Sequence, residues 1–368
     1  MVGPERGRPA LSTLVGVLPG EGIGPEVIDA ALDVLRAVER AGGKEVDLVL
    51  HDGPIGRVAE REHGTALPDP AVRFCDDVHA RGGAVLNGPG GGRYVYDLRV
   101  RLDLFLKISP IQVRNGLADA SPLRPEVVGG VDLLLVRENV GGMYQGRSAE
   151  DRSNGDRVVR HSFSYAERSV RRFLDAAARL ARSRSGTLTV VTKEAGAPGV
   201  SRLWRRCAGD AAGAHGVGCT LVDVDLIAYQ LVRRPTAFDV VAAPNLYGDV
   251  LGDLAAALVG SRGLSFSGNF APGGAAVYQT NHGAAYDIAG TDRANPAGQI
   301  LSLAMLLRES FGLRREAAAI EAAVQRVWAD GWRTADLGTG EQVVGTRRLG
   351  ELVADAVADQ LGAAARAA

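Results

Sequence analysis

The sequence predicts an α/β fold, and three observations carry that expectation. Apolar runs of four or five residues recur at Leu14 to Leu18, Gly83 to Asn87, Asp132 to Val136, Thr187 to Val191 and Val240 to Ala243. Such runs suit buried strands, and helical apolar spacing separates them. Turn residues follow directly where strands would feed helices, as at Pro19-Gly20 and Pro244-Asn245. At 368 residues, 46% hydrophobic and 23% charged, the chain has ordinary globular composition and enough length for two domains.

The first strand leads into Pro19-Gly20-Glu21-Gly22-Ile23-Gly24-Pro25-Glu26, which opens an amphipathic helix carrying Val27, Ile28, Ala31, Leu32, Val34 and Leu35 at helical spacing. Pro25 is expected at the first helical position, where its missing N–H costs nothing. These glycines do not meet the dinucleotide fingerprint G-x-G-x-x-G, because the third falls one position early with proline in its place. A tight turn explains them. Gly88 to Gly92 and Gly268 to Gly274 read as mobile glycine-rich loops. Helical patterns from Glu316 to Trp332, from Thr334 to Gly340 and from Leu349 to Leu361 close the chain, which ends in an alanine-rich tail expected to fray.

The most telling segment is Phe238 to Asp253. Phe238 to Ala243 reads as a strand, Pro244 and Asn245 as a turn, and Leu246 onward as a helix bearing Asp249 and Asp253 on one face. Carboxylates four residues apart suit a hard divalent cation such as Mg²⁺ or Mn²⁺ with an incomplete shell open to a chelating substrate. Two solvated acids near a helix start fit the same pattern, since the helix dipole favours them there.

A net charge of −1 argues against a nucleic-acid surface, and the arginines of Arg168 to Arg172 and Arg179 to Arg184 read as solvated helix faces. Cys75, Cys207 and Cys219 show no metal or redox spacing, and an odd count suits a reducing compartment. No export signal and no apolar window of about 20 residues is read, so a cytoplasmic protein without membrane contact is expected.

Taken with Leu98 to Pro110, Asp132 to Tyr144, Val190-Val-Thr-Lys193 and Asn281 to Gly290 with Ala294-Asn295-Pro296 behind it, these islands resemble one family in order and spacing. It is the metal-dependent β-decarboxylating dehydrogenases, the isocitrate and 3-isopropylmalate dehydrogenases, and the likeness runs from about Leu14 to Ala358. The resemblance implies a two-domain isopropylmalate-dehydrogenase-like fold that is not a Rossmann fold. Residues 1–105 and 262–368 would form a discontinuous cofactor-binding domain. Residues 106–261 would form a second domain carrying the dimer interface and much of the catalytic site. It places the 88–92 loop over the substrate and the 268–274 loop over the adenine site.

The resemblance also implies roles. Lys193 with Asp225 would form the base region, Tyr144 would supply the C3 proton, and Asp225, Asp249 and Asp253 would ligate the metal. Lys193 and Asp225 would arrive from the other subunit, so an obligate homodimer is expected. Read alone, Lys193 also fits a strand-end lysine, and either Asp223 or Asp225 fits a helix cap. Lys193-Glu194-Ala195 departs from the family's usual Lys-Ala-Asn, which puts one nicotinamide-side contact in doubt.

Arg99 and Arg137 match two arginines of the family's malate clamp, and the guanidinium fork suits a carboxylate. Ser109 stands where the family has the third arginine, and Lys107 where it usually has asparagine. Losing a bidentate donor costs roughly 1.5–3 kcal/mol of binding. Lys107, two residues away on the same strand face, is expected to compensate in part as a point charge. The C3 substituent would be read by Arg93, Val95 and Tyr96. Val95 and Tyr96 favour an apolar branch such as isopropyl, whereas Arg93 favours a distal carboxylate or phosphonate.

His282, Gly283 and Asn295 match adenine-side contacts, and Asp287-Ile288 occupies the place where NADP-dependent members carry Lys-Tyr. An aspartate accepts from a ribose hydroxyl and repels a 2′-phosphate, so NAD is expected. The reading is NAD-dependent oxidative decarboxylation of a 3-isopropylmalate-like acid. Isocitrate, homoisocitrate, tartrate and phosphonomethylmalate remain alternatives, and so does a non-catalytic regulatory subunit.

Overall fold

The computed structural model describes residues 13–114, 116–117, 119–338 and 342–367. Residues 1–12, where no export signal is read, and the end of the Thr334 to Gly340 pattern lie outside them. Strand β1 (Leu14–Leu18) feeds α1 (Gly24–Arg40), followed by β2 (Asp47–Leu50), α2 (Gly56–His63), α3 (Asp69–Ala80), β3 (Ala84–Asn87) and α4 (Tyr94–Arg101). Next come β4 (Leu106–Gln112), α5 (Pro125–Val128), β5 (Asp132–Glu138), the hairpin β6 (Arg147–Ser153) and β7 (Asp156–Ser162), and α6 (Glu167–Arg182). Then β8 (Thr187–Thr192), α7 (Pro198–His215), β9 (Gly218–Asp223), α8 (Val224–Arg233), β10 (Val240–Ala243) and α9 (Asn245–Leu258) alternate. The chain closes with β11 (Phe266–Phe270), β12 (Ala276–Thr280), α10 (Ala297–Phe311), α11 (Arg314–Ala329), β13 (Trp332–Arg333), β14 (Gln342–Val343) and α12 (Thr346–Ala367).

Ten strands form one sheet in the order β2-β1-β3-β12-β11-β4-β5-β10-β8-β9. Pairings are parallel toward both ends, but β11 is antiparallel to β12 and β4, and β4 is antiparallel to β5. The parallel strands of the two halves therefore run in opposite directions, and the reversal is built from β4 and β11. Ligands in open α/β sheets sit at such a switch. Here the register puts Lys107 beside both Arg137 and Asn269.

Local chemistry explains the elements that shape this switch. All four residues of β10 are buried, and Pro244, in extended conformation, ends the strand so that α9 starts at Asn245. Gly248 lets α9 lie against β5, since a Cβ there would come within 2.9 Å of the Arg137 side chain. Gly20, with φ +81°, lets the turn after β1 touch the 88–92 loop, where Pro89 O accepts from Glu21 N at 2.8 Å.

Two expectations are corrected. Gly268 is not in a loop: it lies inside β11, pressed against Phe270 and Tyr278, and the connecting turn spans only Ala271 to Ala275. That turn does not line the nucleoside-sized pocket described below. The helical pattern through Trp332 stops at Ala329, because Gly331 takes φ +87° and Trp332 joins β13 instead. Among the described residues no helix is long and apolar enough to cross a membrane.

Candidate active site

Arg137, one residue from the end of β5, organises the cleft. Its Nε and one Nη donate to Asn245 Oδ1 at 3.0 and 2.7 Å, and its other Nη pairs with Asp249. Asn245 is itself fully buried and donates to Gly141 O at 2.9 Å, so the guanidinium is locked from behind. Tyr144 donates to the other Asp249 oxygen at 2.8 Å. Burial alone would raise the Asp249 pKa, but the Arg137 charge and the Tyr144 bond hold it below the usual carboxylate range. Burial and the same carboxylate push the Tyr144 phenol well up, which keeps it protonated.

Arg99, on α4, and Lys107, on β4, are 5% and 4% exposed. Burial, then the nearby Arg137 charge, pulls Arg99 down to about 9. Its Nε has no hydrogen-bond partner among the described residues. Lys107 is pulled well below its ordinary value by burial and by Arg99 and Arg137, with Asp249 and Asp253 opposing. Its ammonium group has no hydrogen-bonded or ion-paired partner among the described residues, and it faces a cleft of about 190 Å³ that also exposes Val95, Tyr96, Arg99, Asp249 and Asp253. Ser109 lines a small chamber beside it and accepts from Asn281 Nδ2 at 3.2 Å. The shared strand face expected for Lys107 and Ser109 is thus observed.

Arg93 points elsewhere. Its guanidinium lies 5.6 Å from the Tyr96 ring centroid, donates to Tyr144 O at 3.2 Å and approaches Asp97 at 3.6 Å. Arg99 stacks on the same Tyr96 ring at 5.4 Å, and Tyr96 meets Tyr144 edge-on at 5.2 Å. Arg93 therefore braces Tyr96 and is not among the cleft-lining side chains.

Lys193 Nζ binds Asp225 at 2.7 Å, and this hydrogen bond raises the Lys193 pKa. One Asp223 oxygen accepts from Thr192 Oγ1 at 3.1 Å and Glu194 N at 2.9 Å, and the other stands 4.0 Å from Lys193 Nζ, so Asp225 is the lysine's hydrogen-bonded acid and Asp223 a more distant one. Within one chain Lys193 and Asp225 do not line the cleft, and among the described residues no three His, Cys, Asp or Glu side chains gather to hold a metal.

A neighbouring pocket of about 490 Å³ brings together His282, Gly283, Asp287, Ile288, Arg293 and Asn295. Asn295 is 5% exposed and fixed by accepting from Ala297 N at 3.0 Å, while Asp287 stands exposed at the rim. Burial lowers the His282 pKa, so the ring is neutral at pH 7. The volume suits a nucleoside.

Sequence reasoning missed Asn245, Gln279, Asn281 and Arg262 as parts of this site. Asn245 sits in the helix-opening motif, but its service to Arg137 spans 108 residues and has no local signal.

A polycarboxylate-sized cleft lined by Arg99 and by Lys107, whose ammonium has no partner among the described residues, abutting two helix-borne carboxylates and a nucleoside-sized pocket, marks the dinucleotide-dependent hydroxy-acid dehydrogenases as the class. The comparisons narrow it. The family model for isocitrate/isopropylmalate dehydrogenase matches residues 14–353. A 3-isopropylmalate dehydrogenase of Rhodopirellula baltica is 39% identical, over 93% of this chain and 98% of its own. One from Bacillus subtilis is 37% identical over 93% and 96%. The crystal structure of an isocitrate dehydrogenase from Methylococcus capsulatus superposes with a TM-score of 0.82 at 30% identity, covering 94% of this chain and 99% of that one. The chain belongs to the isocitrate/isopropylmalate dehydrogenase family and is a decarboxylating dehydrogenase.

Proposed function

We propose that the protein oxidises and decarboxylates a 3-isopropylmalate-like 2-hydroxy acid, using NAD and Mg²⁺ or Mn²⁺, as a cytoplasmic homodimer. The observation that carries this reading is Asp249, held between the clamp arginine Arg137 and the phenol Tyr144 at the mouth of the cleft. The donor chemistry fits a hard cation: Asp249 and Asp253 are both carboxylates facing the cleft. Bound there, a divalent cation would supply Lewis acidity at the C2 oxygen, and NAD would supply the hydride acceptor.

The chain's own groups do the rest. Arg99, Arg137 and Lys107 hold the malate carboxylates. Lys193 takes the C2 hydroxyl proton as the free amine, a form open to it once a cation draws Asp225 away from the bond that holds the lysine protonated, and Tyr144 delivers a proton to C3. Both Lys193 and Asp225 reach the cleft from a second copy of the chain. That arrangement is supported by an apolar stripe on α8, where Leu226, Tyr229 and Val232 are 48%, 61% and 36% exposed, continued by Val250 on α9 at 58%.

The substrate branch is read by Val95 and Tyr96, since Arg93 is spent on the Tyr96 ring and Asp97. This favours an apolar branch over isocitrate, homoisocitrate, tartrate or a phosphonomethyl malate. NADH absorbance with Mn²⁺ across those five acids is expected to show turnover with 3-isopropylmalate, lost with EDTA or in Asp249→Asn. Turnover of a different acid would overturn the branch assignment. Silence from a folded dimer that binds NAD would point to a regulatory subunit.

Cofactor choice rests on Asp287. In Asp287→Lys the ratio of kcat/KM for NAD over NADP is expected to fall by roughly tenfold or more, because one charge is reversed beside the ribose. An unchanged ratio would remove Asp287 from the role.

A further inference from the structure

Arg262 stands at the junction of the two pockets. Its guanidinium grips Asp253 through two contacts, Nε to Oδ1 at 3.2 Å and an Nη to Oδ2 at 3.0 Å. It also lines both the substrate cleft and the nucleoside-sized pocket, a distinction shared only with His282 and Gly283 among their described lining residues. Of those three, His282 is uncharged at neutral pH and Gly283 has no side chain. A dinucleotide laid from one pocket to the other must carry its diphosphate past this junction, and Arg262 is the charged side chain that both linings share.

We propose that Arg262 is an exchange residue: it neutralises Asp253 while the cation site is empty and turns to the cofactor diphosphate once a divalent cation takes that carboxylate. The inference rests on the proposed metal and NAD sites. Its physical basis is competition for one fork. A guanidinium satisfied by a bidentate carboxylate has little to offer a diphosphate, whereas the same fork released is a strong phosphate ligand. Asp253 loses nothing by the exchange, because a divalent cation replaces a single positive charge. Metal and dinucleotide binding thereby become positively linked, and linkage is reciprocal.

The test is NADH affinity by fluorescence titration, with and without Mn²⁺, alongside Mn²⁺ affinity by electron paramagnetic resonance. In the native homodimer Mn²⁺ is expected to tighten NADH roughly tenfold, the worth of one charge-assisted contact. In Arg262→Leu the enhancement disappears, while Mn²⁺ binds at least as tightly because its competitor is gone. A merely structural arginine would weaken both ligands together. In Asp253→Asn the fork is free from the start, so metal-free NADH affinity rises toward the Mn²⁺-loaded native value. Arg262→Leu retaining the full Mn²⁺ enhancement, or Asp253→Asn leaving metal-free NADH affinity unchanged, would overturn the proposal. Failure of the native protein to bind NADH under either condition would overturn the cofactor assignment beneath it, a different result from loss of linkage alone.

Discussion

Two variants that are each inactive, Lys193→Ala and Asp249→Asn, are expected to regain activity when unfolded together and refolded as a mixture. Each single change removes one half of the site and should lower kcat by at least about a thousandfold, the scale seen for losing a principal catalytic group. Within one chain the lysine is bound to Asp225, while Asp249 is bound to Arg137 and Tyr144. If two copies exchange these halves, a mixed dimer carries one cleft with both defects and one with neither. Random pairing makes half the dimers mixed, so about a quarter of native activity should return. A site completed within one chain would give none, since every cleft would then hold one defect. A charge in the apolar stripe, Tyr229→Asp, should separate the copies and remove turnover, with the secondary structure retained by circular dichroism.

How much of this was legible in the sequence follows from range. The strands, the helix bearing Asp249 and Asp253, and the turn after β1 are local patterns, and they appear with boundaries shifted by a residue or two. The pairing of Lys107 and Ser109 on one face followed from strand alternation alone. What failed was also physical. Glycine density suggested a loop at Gly268, yet that glycine makes room for Phe270 and Tyr278 inside a hairpin. The charge of Arg93 suggested a substrate ligand; here its guanidinium lies over Tyr96 and beside Asp97, contacts that side-chain type alone does not announce. Asn245 acts on a partner that only the folded sheet brings near, and Arg262 meets Asp253, nine residues back, only because the chain bends after α9, so neither role left a periodicity to read.

Lys107→Met is expected to stabilise the fold and impair substrate binding at once. The native side chain is buried under the influence of the Arg99 and Arg137 charges, cross-strand from Arg137, with no acid in hydrogen-bonding contact among the described residues. Replacing a buried charge of this kind by an apolar side chain of similar length is worth roughly 1–4 kcal/mol, seen as a higher Tm. The pH dependence has a definite sign. Because the folded-state pKa lies below 10.5, the unfolded chain binds more protons across the interval between the two values, so native stability rises with pH there. Lys107→Met should lose that rise. Binding runs the other way: Asp249 and Asp253 offset the repulsion among Arg99, Arg137 and Lys107 only in part, so the malate carboxylates gain from relieving the rest. Loss of that cation should raise the Michaelis constant roughly tenfold or more, with NADH affinity unmoved. The double change Lys107→Asn with Ser109→Arg, which restores the family's usual pair of residues, should recover most of it. A Michaelis constant that stays at the native value in Lys107→Met would show that Arg99 and Arg137 hold the acid alone, and that Lys107 is a burden without a function.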